Sequence, residues 1–196
     1  MKSFIYILLT SLTFLVVGCQ NESEEIRLIN QAERLFDAYP DSVITTLDSI
    51  PLPEEMSPRL IARWCMLYAR AADKIEDEMP YTNQLEIALK YYQKKKMREE
   101  EAEIGLYLGR SYVEDKEYEK AMRAYSDALE VALAIKNYNR AGYICSYMGD
   151  LYEVGLRYIL AAEKYKESGK YFHLANNTTS YVRAFVNEGR SYMSVD

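Results

Sequence analysis

Apolar residues recur along most of the chain at steps of three and four, which is the spacing of one face of an α-helix. The stretch 118–133 shows the pattern most clearly, with apolar side chains at Tyr118, Ala121, Met122, Tyr125, Ala128, Leu129, Ala132 and Leu133. The preceding stretch, 104–113, carries a second stripe, and Asp115-Lys116 between the two indicates a turn. The pattern therefore predicts pairs of amphipathic helices joined by short turns.

The same pattern returns every forty residues without gaps. The tetrapeptide at Gly109–Tyr112 recurs at Gly189–Tyr192, and a related one stands midway at Gly149–Tyr152. We expect small residues such as Gly109 and Ala121 to let the two helices of a pair approach closely, with Tyr112 and Tyr125 filling the space on either side. Such repetition predicts an all-α solenoid in which each helical hairpin stacks on the next.

The boundaries of the repeats follow from the register and from turn residues. We predict an N-terminal hairpin at 26–56, repeats at 57–97, 98–137 and 138–177, and a partial or capping helix at 178–194. Within the first hairpin, Asp41-Ser42 is expected to cap the second helix, and Pro51 and Pro53 to end it. Ser57-Pro58 is expected to begin the next helix.

The repeats resemble the tetratricopeptide repeat in its long form of about forty residues. The motif is read at Leu108-Gly109 and Tyr112 and then at Ala121, Tyr125 and Ala128, and again forty residues later. The resemblance implies a right-handed α-solenoid whose inner groove holds peptides. The aromatic residue that begins the standard unit is replaced here by Cys65, Gly105 and Cys145.

The N-terminal segment is apolar and uncharged from Ser3 to Gly18 and is followed by Cys19. It is too short to span a bilayer comfortably and is typical of a secretory signal. Val16-Val17-Gly18-Cys19 resembles the lipobox of bacterial lipoproteins, which implies a signal peptide at 1–18, lipid attachment at Cys19 and an acidic tether at 19–25. An ordinary signal peptide with an incidental cysteine is the alternative.

Together, the lipobox and the repeats resemble the tetratricopeptide lipoproteins of Gram-negative gut anaerobes. The resemblance implies an exported protein at the outer membrane in preference to the inner one, with the leaflet left open. Some longer relatives continue into a membrane helix and a regulatory domain, so the chain could also be a fragment of a longer repeat protein.

Composition argues against several other functions. A net charge of −6 does not suit a nucleic-acid partner, and it agrees with a monomer. His173 is the only histidine and has no companions at metal-ligand spacing, so we predict no metal, no cofactor and no enzymatic activity. Glu99-Glu100-Glu101 is interpreted as part of a solvated, charged linker. Cys65 and Cys145 lie two repeats apart, too far for a disulfide, and are expected to be buried thiols.

The candidate binding residues are those that tetratricopeptide proteins place in the peptide groove. One set follows the small residue of the seam, and a second lies about two turns earlier on the same helix face. The first set is Arg70, Arg110, Asp150 and Arg190, and the second is Arg63, Glu103, Tyr143 and Arg183. The candidates are these residues without Glu103, together with Tyr107, which lies one turn before Arg110. Arginines gathered on one face could bind a carboxylate-rich peptide through bidentate pairs. Alternatively, they pair with neighbouring acidic residues and hold successive repeats together.

Two functions therefore stand side by side. The first is a membrane-anchored, non-enzymatic scaffold that binds an extracytoplasmic protein or peptide in its groove. The second is the sensory N-terminal part of a truncated signal-transduction or regulatory protein. The sequence names neither the ligand nor the pathway.

Overall fold

The computed structural model describes residues 24–51 and 53–195. The predicted signal peptide, Cys19 and most of the acidic tether lie outside these ranges. Within them every regular element is a helix, and the chain divides into two compact units that meet between Asp77 and Glu78. This boundary falls inside the predicted repeat 57–97, so the two helices of that repeat belong to different units.

The first unit contains three α-helices in its described part. Residues 24–35 form α1, Pro40–Asp48 form α2, and Pro58–Ile75 form α3, with a short 3-10 turn at Pro53–Glu55. Helix α2 packs on α3, and the indole N–H of Trp64 donates to the carbonyl of Leu47 at 3.2 Å. The predicted short second helix of the N-terminal hairpin is therefore present.

The second unit contains six helices in its described part. They are α4 (Thr82–Lys95), α5 (Arg98–Glu114), α6 (Tyr118–Ala134), α7 (Tyr138–Val154), α8 (Tyr158–Leu174) and α9 (Thr178–Met193). Each helix packs on the next one along the chain, and α5 also contacts α7. The repeats predicted at 98–137 and 138–177 coincide with α5–α6 and α7–α8. Consecutive helical hairpins of this kind define an α-solenoid, which confirms the predicted fold class.

Glycine and tyrosine form the contact between the two helices of a hairpin. A Cβ atom built on Gly109 would lie 2.2 Å from the Tyr125 ring, and one on Gly149 would lie 2.7 Å from the Tyr165 ring. Both rings are almost fully buried. Each tyrosine therefore lies directly on the glycine, a closer arrangement than the predicted filling at the side. Gly189, at the equivalent position of α9, has nothing within 4 Å.

The turns repeat at half the interval of the hairpins. A non-glycine residue with positive φ ends each of the described helices α3 to α8, at Glu76, Lys96, Lys116, Lys136, Leu156 and Asn176, which are twenty residues apart. At the α5–α6 turn the Lys116 N–H donates to the Val113 carbonyl at 3.0 Å, and the Glu117 N–H donates to the Tyr112 carbonyl at 2.8 Å. This is the Schellman arrangement, which satisfies carbonyls left open at a helix end. All these turns therefore have a common left-handed residue.

Two local predictions are corrected by the structure. Asp41 and Ser42 do not cap α2: the N-cap residue is Tyr39, no side chain bonds to the open N–H groups, and Pro40 occupies the first turn. Proline at that position already lacks the N–H that a cap would satisfy. By contrast, Ser57 and Pro58 begin α3 as predicted.

The three glutamates at 99–101 do not form a solvated linker. They lie in the first turn of α5, where carboxylates favour the positive end of the helix dipole. Glu101 is buried and pairs with Arg98 at 2.8 Å. In the described part of the chain, no helix is both long and apolar enough to cross a membrane.

Candidate functional site

Helices α5, α7 and α9 occupy the same place in successive repeats and are joined by polar side chains. Near their N-terminal ends, Arg140 of α7 forms an ion pair with Glu103 of α5 at 2.9 Å. One repeat later, the equivalent positions hold Ser180 and Tyr143, whose hydroxyls are 3.2 Å apart. We call these two contacts the N-terminal links.

A second contact joins α7 and α9 further along the helices. Arg190 of α9 lies 3.3 Å from the Glu153 carboxylate of α7, and the Ser191 hydroxyl donates to the same carboxylate at 2.6 Å. The positions equivalent to Glu153 and Arg190 in the preceding repeat are Val113 and Asp150. Valine cannot pair with a carboxylate, so this level between α5 and α7 lacks the ion pair that joins α7 and α9.

A cavity of about 230 Å³ lies at this level. We call it the α5–α7 cleft, and its walls are Arg110, Val113, Glu114, Tyr125, Tyr147, Asp150, Leu151 and Val154. Three of these residues are apolar, and the others carry a guanidinium, two carboxylates and two tyrosine rings. The cleft thus follows from a substitution within the repeat, where Val113 stands in place of a glutamate.

Aromatic rings fix the guanidinium in the cleft. The Arg110 guanidinium lies over the Tyr147 ring, 5.3 Å from its centroid. Tyr147 in turn stacks on Tyr125, with the ring centroids 6.2 Å apart and the planes 15° from parallel. Tyr125 packs directly on Gly109, so the contact between the two helices of the hairpin also holds one wall of the cleft in place.

The two carboxylates of the cleft are partly desolvated. Desolvation by neighbouring side chains raises the pKa of Asp150 above its ordinary value, although the residue as a whole remains exposed. The Tyr165 hydroxyl, which donates to Asp150 at 2.6 Å, opposes this rise. Desolvation also raises the pKa of Glu114, opposed by the Met79 N–H, which donates to it at 3.0 Å, and by Arg110. A raised carboxylate pKa means that the anion would gain from an incoming cation.

The structure brings two of the eight predicted groove residues into the cleft, Arg110 and Asp150. Two others hold helices together: Arg63 donates to Asn30 at 2.8 Å and to Glu33 at 2.7 Å in the first unit, while Arg190 pairs with Glu153. These contacts agree with the alternative in which arginines join neighbouring helices.

The other four predicted groove residues lie elsewhere. Tyr107 is only 3 % exposed and donates to Glu103, so we remove it from the candidate set because its ring cannot meet a ligand. Tyr143 forms an N-terminal link and packs edge-on against Phe172. Arg70 and Arg183 are exposed on α3 and α9.

Several cleft residues were missed at the sequence level. Val113, Glu114 and Tyr147 have no recognisable motif, and their role depends on which residues face each other across two helices. The sequence did contain one signal. Glu153 and Arg190 carry opposite charges, whereas the residues at the equivalent positions one repeat earlier, Val113 and Asp150, cannot form an ion pair.

The remaining candidate residues are the two cysteines and the single histidine. Cys65 and Cys145 are free and buried, as predicted, and burial raises the pKa of Cys145 to about 12. No group of three or more His, Cys, Asp or Glu side chains in the described ranges could hold a metal ion. His173 packs near the ring of Tyr181.

The described part of the chain is all-α, and its second unit is a solenoid of helical hairpins. No protein-family model matches the sequence, and no curated protein sequence matches it. A solved structure that resembles it is that of BtubC (BKLC) from P. vanneervenii, with 14% identity over 89% of this chain and 91% of that chain and a TM-score of 0.44. This likeness is distant, and the fold assignment rests on the helix packing described above.

Proposed function

We propose that the protein is a membrane-anchored, non-enzymatic scaffold that binds an extracytoplasmic protein or peptide through the α5–α7 cleft. The observation that carries the proposal is the cleft itself, whose lining combines apolar side chains with Arg110 and two carboxylates. Its volume of about 230 Å³ is below the range of about 300–1,000 Å³ that is usual for small-molecule pockets. A space of this size suits one or two side chains of a peptide.

The charges of the cleft indicate which peptide it would take. Arg110 is already placed over Tyr147, while the carboxylates of Glu114 and Asp150 carry raised pKa values. We therefore propose a segment with a large apolar side chain next to a lysine or arginine. The apolar side chain would lie against Val113 and the cation would pair with Asp150. This revises the expectation of a carboxylate-rich ligand, because Arg63 and Arg190 are engaged in holding helices together.

The cleft can be closed by a single substitution. Val113→Arg would place a guanidinium opposite Asp150, at the positions where Glu153 and Arg190 pair one repeat later. The probe is a displayed library of random dodecapeptides, selected on the immobilised full-length chain. We expect enrichment of peptides with an apolar residue beside Lys or Arg, and at least tenfold weaker binding of these peptides by Val113→Arg.

The matched control is Ile159→Arg, which adds the same charge at a half-exposed apolar position of α8 outside the cleft. It should bind the selected peptides as the unmodified chain does, and both variants should keep the melting temperature within a few degrees. Equal binding by Val113→Arg, or a library without enrichment, would contradict the proposal.

The membrane anchor is a separate part of the proposal and rests on the residues Val16-Val17-Gly18-Cys19. Several acyl chains on one cysteine would hold the protein firmly, since each buried CH₂ contributes about 0.8 kcal/mol. We expect Cys19→Ala to move the protein from the membrane fraction to the soluble fraction in a Gram-negative host. Cys145→Ala, a buried cysteine in α7, is the control and should leave fractionation unchanged. Unaltered fractionation of Cys19→Ala would contradict the lipid anchor.

A further inference from the structure

Helix α9 exposes an apolar face that the equivalent helices bury. We call it the α9 stripe, and it consists of Tyr181, Val182, Phe185, Val186, Gly189, Tyr192 and Met193. The large side chains of the stripe are 41–82 % exposed. In α5 and α7 the corresponding face is covered by α6 and α8, whose tyrosines lie on Gly109 and Gly149. The stripe therefore indicates an interaction surface, and its shape and spacing must show which partner covers it.

The α9 stripe differs from the corresponding faces of α5 and α7 at one central position. At the position of Phe185, the preceding repeats have Gly105 and Cys145. Gly105 admits a close approach, since a Cβ built on it would lie 3.0 Å from the Ala128 Cβ of α6. At that place Phe185 projects a ring that is 67 % exposed. The occupant of the stripe must therefore accept a protruding ring.

The spacing of the stripe suits a second copy of α9. Val182, Phe185, Gly189 and Tyr192 follow one another at steps of three, four and three, which is the seam of a coiled coil. Two such helices can pair antiparallel about a two-fold axis near position 187. Phe185 of each copy then faces Gly189 of the other, and Val182 faces Tyr192. A large side chain thus meets a gap, as ridge-into-groove packing requires.

The size of the surface sets the strength of the contact. Because a whole aromatic side chain carries about 150–250 Å² of surface, the stripe exposes on the order of 600 Å² of apolar area. This is the upper end of what monomers tolerate, about 300–600 Å². Two stripes together reach the low end of specific interfaces, roughly 1,200 Å² in total. A dimer of this size would be weak and would form chiefly where the protein is concentrated.

We infer that this protein forms a two-fold symmetric homodimer through the α9 stripe, with Phe185 of one copy packed on Gly189 of the other. The inference replaces the monomer expected from sequence, and it does not depend on the α5–α7 cleft, which lies between other helices. A face so close in area to a minimal interface and so complementary to itself needs no other protein to cover it.

Site-specific photo-crosslinking in the full-length chain tests the dimer. A benzoylphenylalanine in place of Phe185 keeps an aromatic ring at the contact and should give a crosslinked species of about twice 22.8 kDa. Adding Gly189→Leu fills the gap that receives the ring and should reduce this species at least fivefold. The monomer should still fold, because nothing lies within 4 Å of Gly189, and thermal melting checks this.

Two controls make the result specific. Leu156→Lys removes another exposed apolar side chain and places there the residue found at Lys116 and Lys136, so the dimer yield should not change. The same photo-crosslinker at Ile159 should give no dimer. Absence of the dimer band, a band of another mass alone, or a band insensitive to Gly189→Leu would overturn the inference. A band of another mass would identify a different protein as the occupant, and crosslinks confined to one chain would identify an internal segment.

Discussion

Gly109→Ala is expected to lower the free energy of unfolding by about 2 kcal/mol, a large loss for the addition of one methyl group. The added methyl group would lie 2.2 Å from the ring of Tyr125, which is 1 % exposed, so the ring or the helix must shift to admit it. Overpacking of a core usually costs about 1–3 kcal/mol. Because the contact is so short, we expect an overpacking cost near the upper end of this range, about 3 kcal/mol. The higher helix propensity of alanine offsets about 1 kcal/mol of that cost.

Gly189→Ala is the matched control because it makes the same change at the equivalent position of α9. Nothing lies within 4 Å of the new methyl group, so only the helix propensity acts and stability should rise by up to about 1 kcal/mol. Gly149→Ala should fall between the two, since its Cβ would lie 2.7 Å from the Tyr165 ring. Urea unfolding at low protein concentration, which disfavours the proposed dimer, measures all three.

The order of these three variants is the decisive result. A loss at Gly189→Ala equal to that at Gly109→Ala would mean that alanine disfavours this helix position for a reason unrelated to Tyr125. An unchanged Gly109→Ala would mean that the two helices are further apart than described. Either outcome would remove the physical basis of the repeat.

The repeat could be predicted from sequence because the same contact recurs at a fixed interval. Gly109 and Gly149 are required wherever a tyrosine ring lies on the backbone, and so are Tyr125 and Tyr165. Contacts of this kind restrict residue type strongly, and the restriction is visible as a period of forty.

The turns could not be predicted in the same way. Left-handed φ angles favour glycine, yet this chain uses Lys116, Lys136 and Leu156 there, and Gly155 stands one position too early. Their geometry is imposed by the ends of two packed helices, which tolerate many residue types. The boundary between the two compact units falls in the acidic, proline-containing stretch 76–80, inside a predicted repeat, where the period of forty gives no reason to divide the chain.

The candidate site was predictable only in part. Arg110 and Asp150 lie on the helix face that the repeat register selects, and both reach the cleft. The register alone could not show that Arg63 and Arg190 would pair with carboxylates, because that depends on the side chain across the interface. The open space beside Val113 exists because valine cannot pair with Asp150 across the two helices. This difference becomes visible only when the repeat is compared with the next one, where Glu153 and Arg190 do pair.

The N-terminal link between α5 and α7 lies on the same two helices as the cleft, and we expect it to help hold them at their present separation. Glu103 is 7 % exposed and receives both the Arg140 guanidinium at 2.9 Å and the Tyr107 hydroxyl at 3.3 Å. A buried pair adds little net stability when complete, but removal of one partner leaves a charge without compensation. The two members of this link should therefore depend strongly on each other.

Glu103→Ala is expected to cost about 2–3 kcal/mol, at or just below the lower limit of about 3–5 kcal/mol for a broken buried pair, because Arg140 keeps some exposure to solvent. For a chain of this length the melting temperature should fall by roughly 5–10 °C. Arg140→Ala should be similarly harmful, and the double variant should be less harmful than the two single losses added together. Thermal and urea unfolding of the four proteins in this cycle give the coupling energy.

A second cycle on Glu153 and Arg190 provides the comparison, because this pair has the same sequence separation but is more exposed. Its coupling energy should stay below about 1 kcal/mol and should weaken in high salt, whereas the Glu103–Arg140 coupling should exceed it and change little. Equal coupling in both cycles would mean that burial does not strengthen the N-terminal link. In that case helix packing alone would hold α5 and α7 at the distance that the cleft requires, and Glu103→Ala should leave peptide binding at the cleft intact.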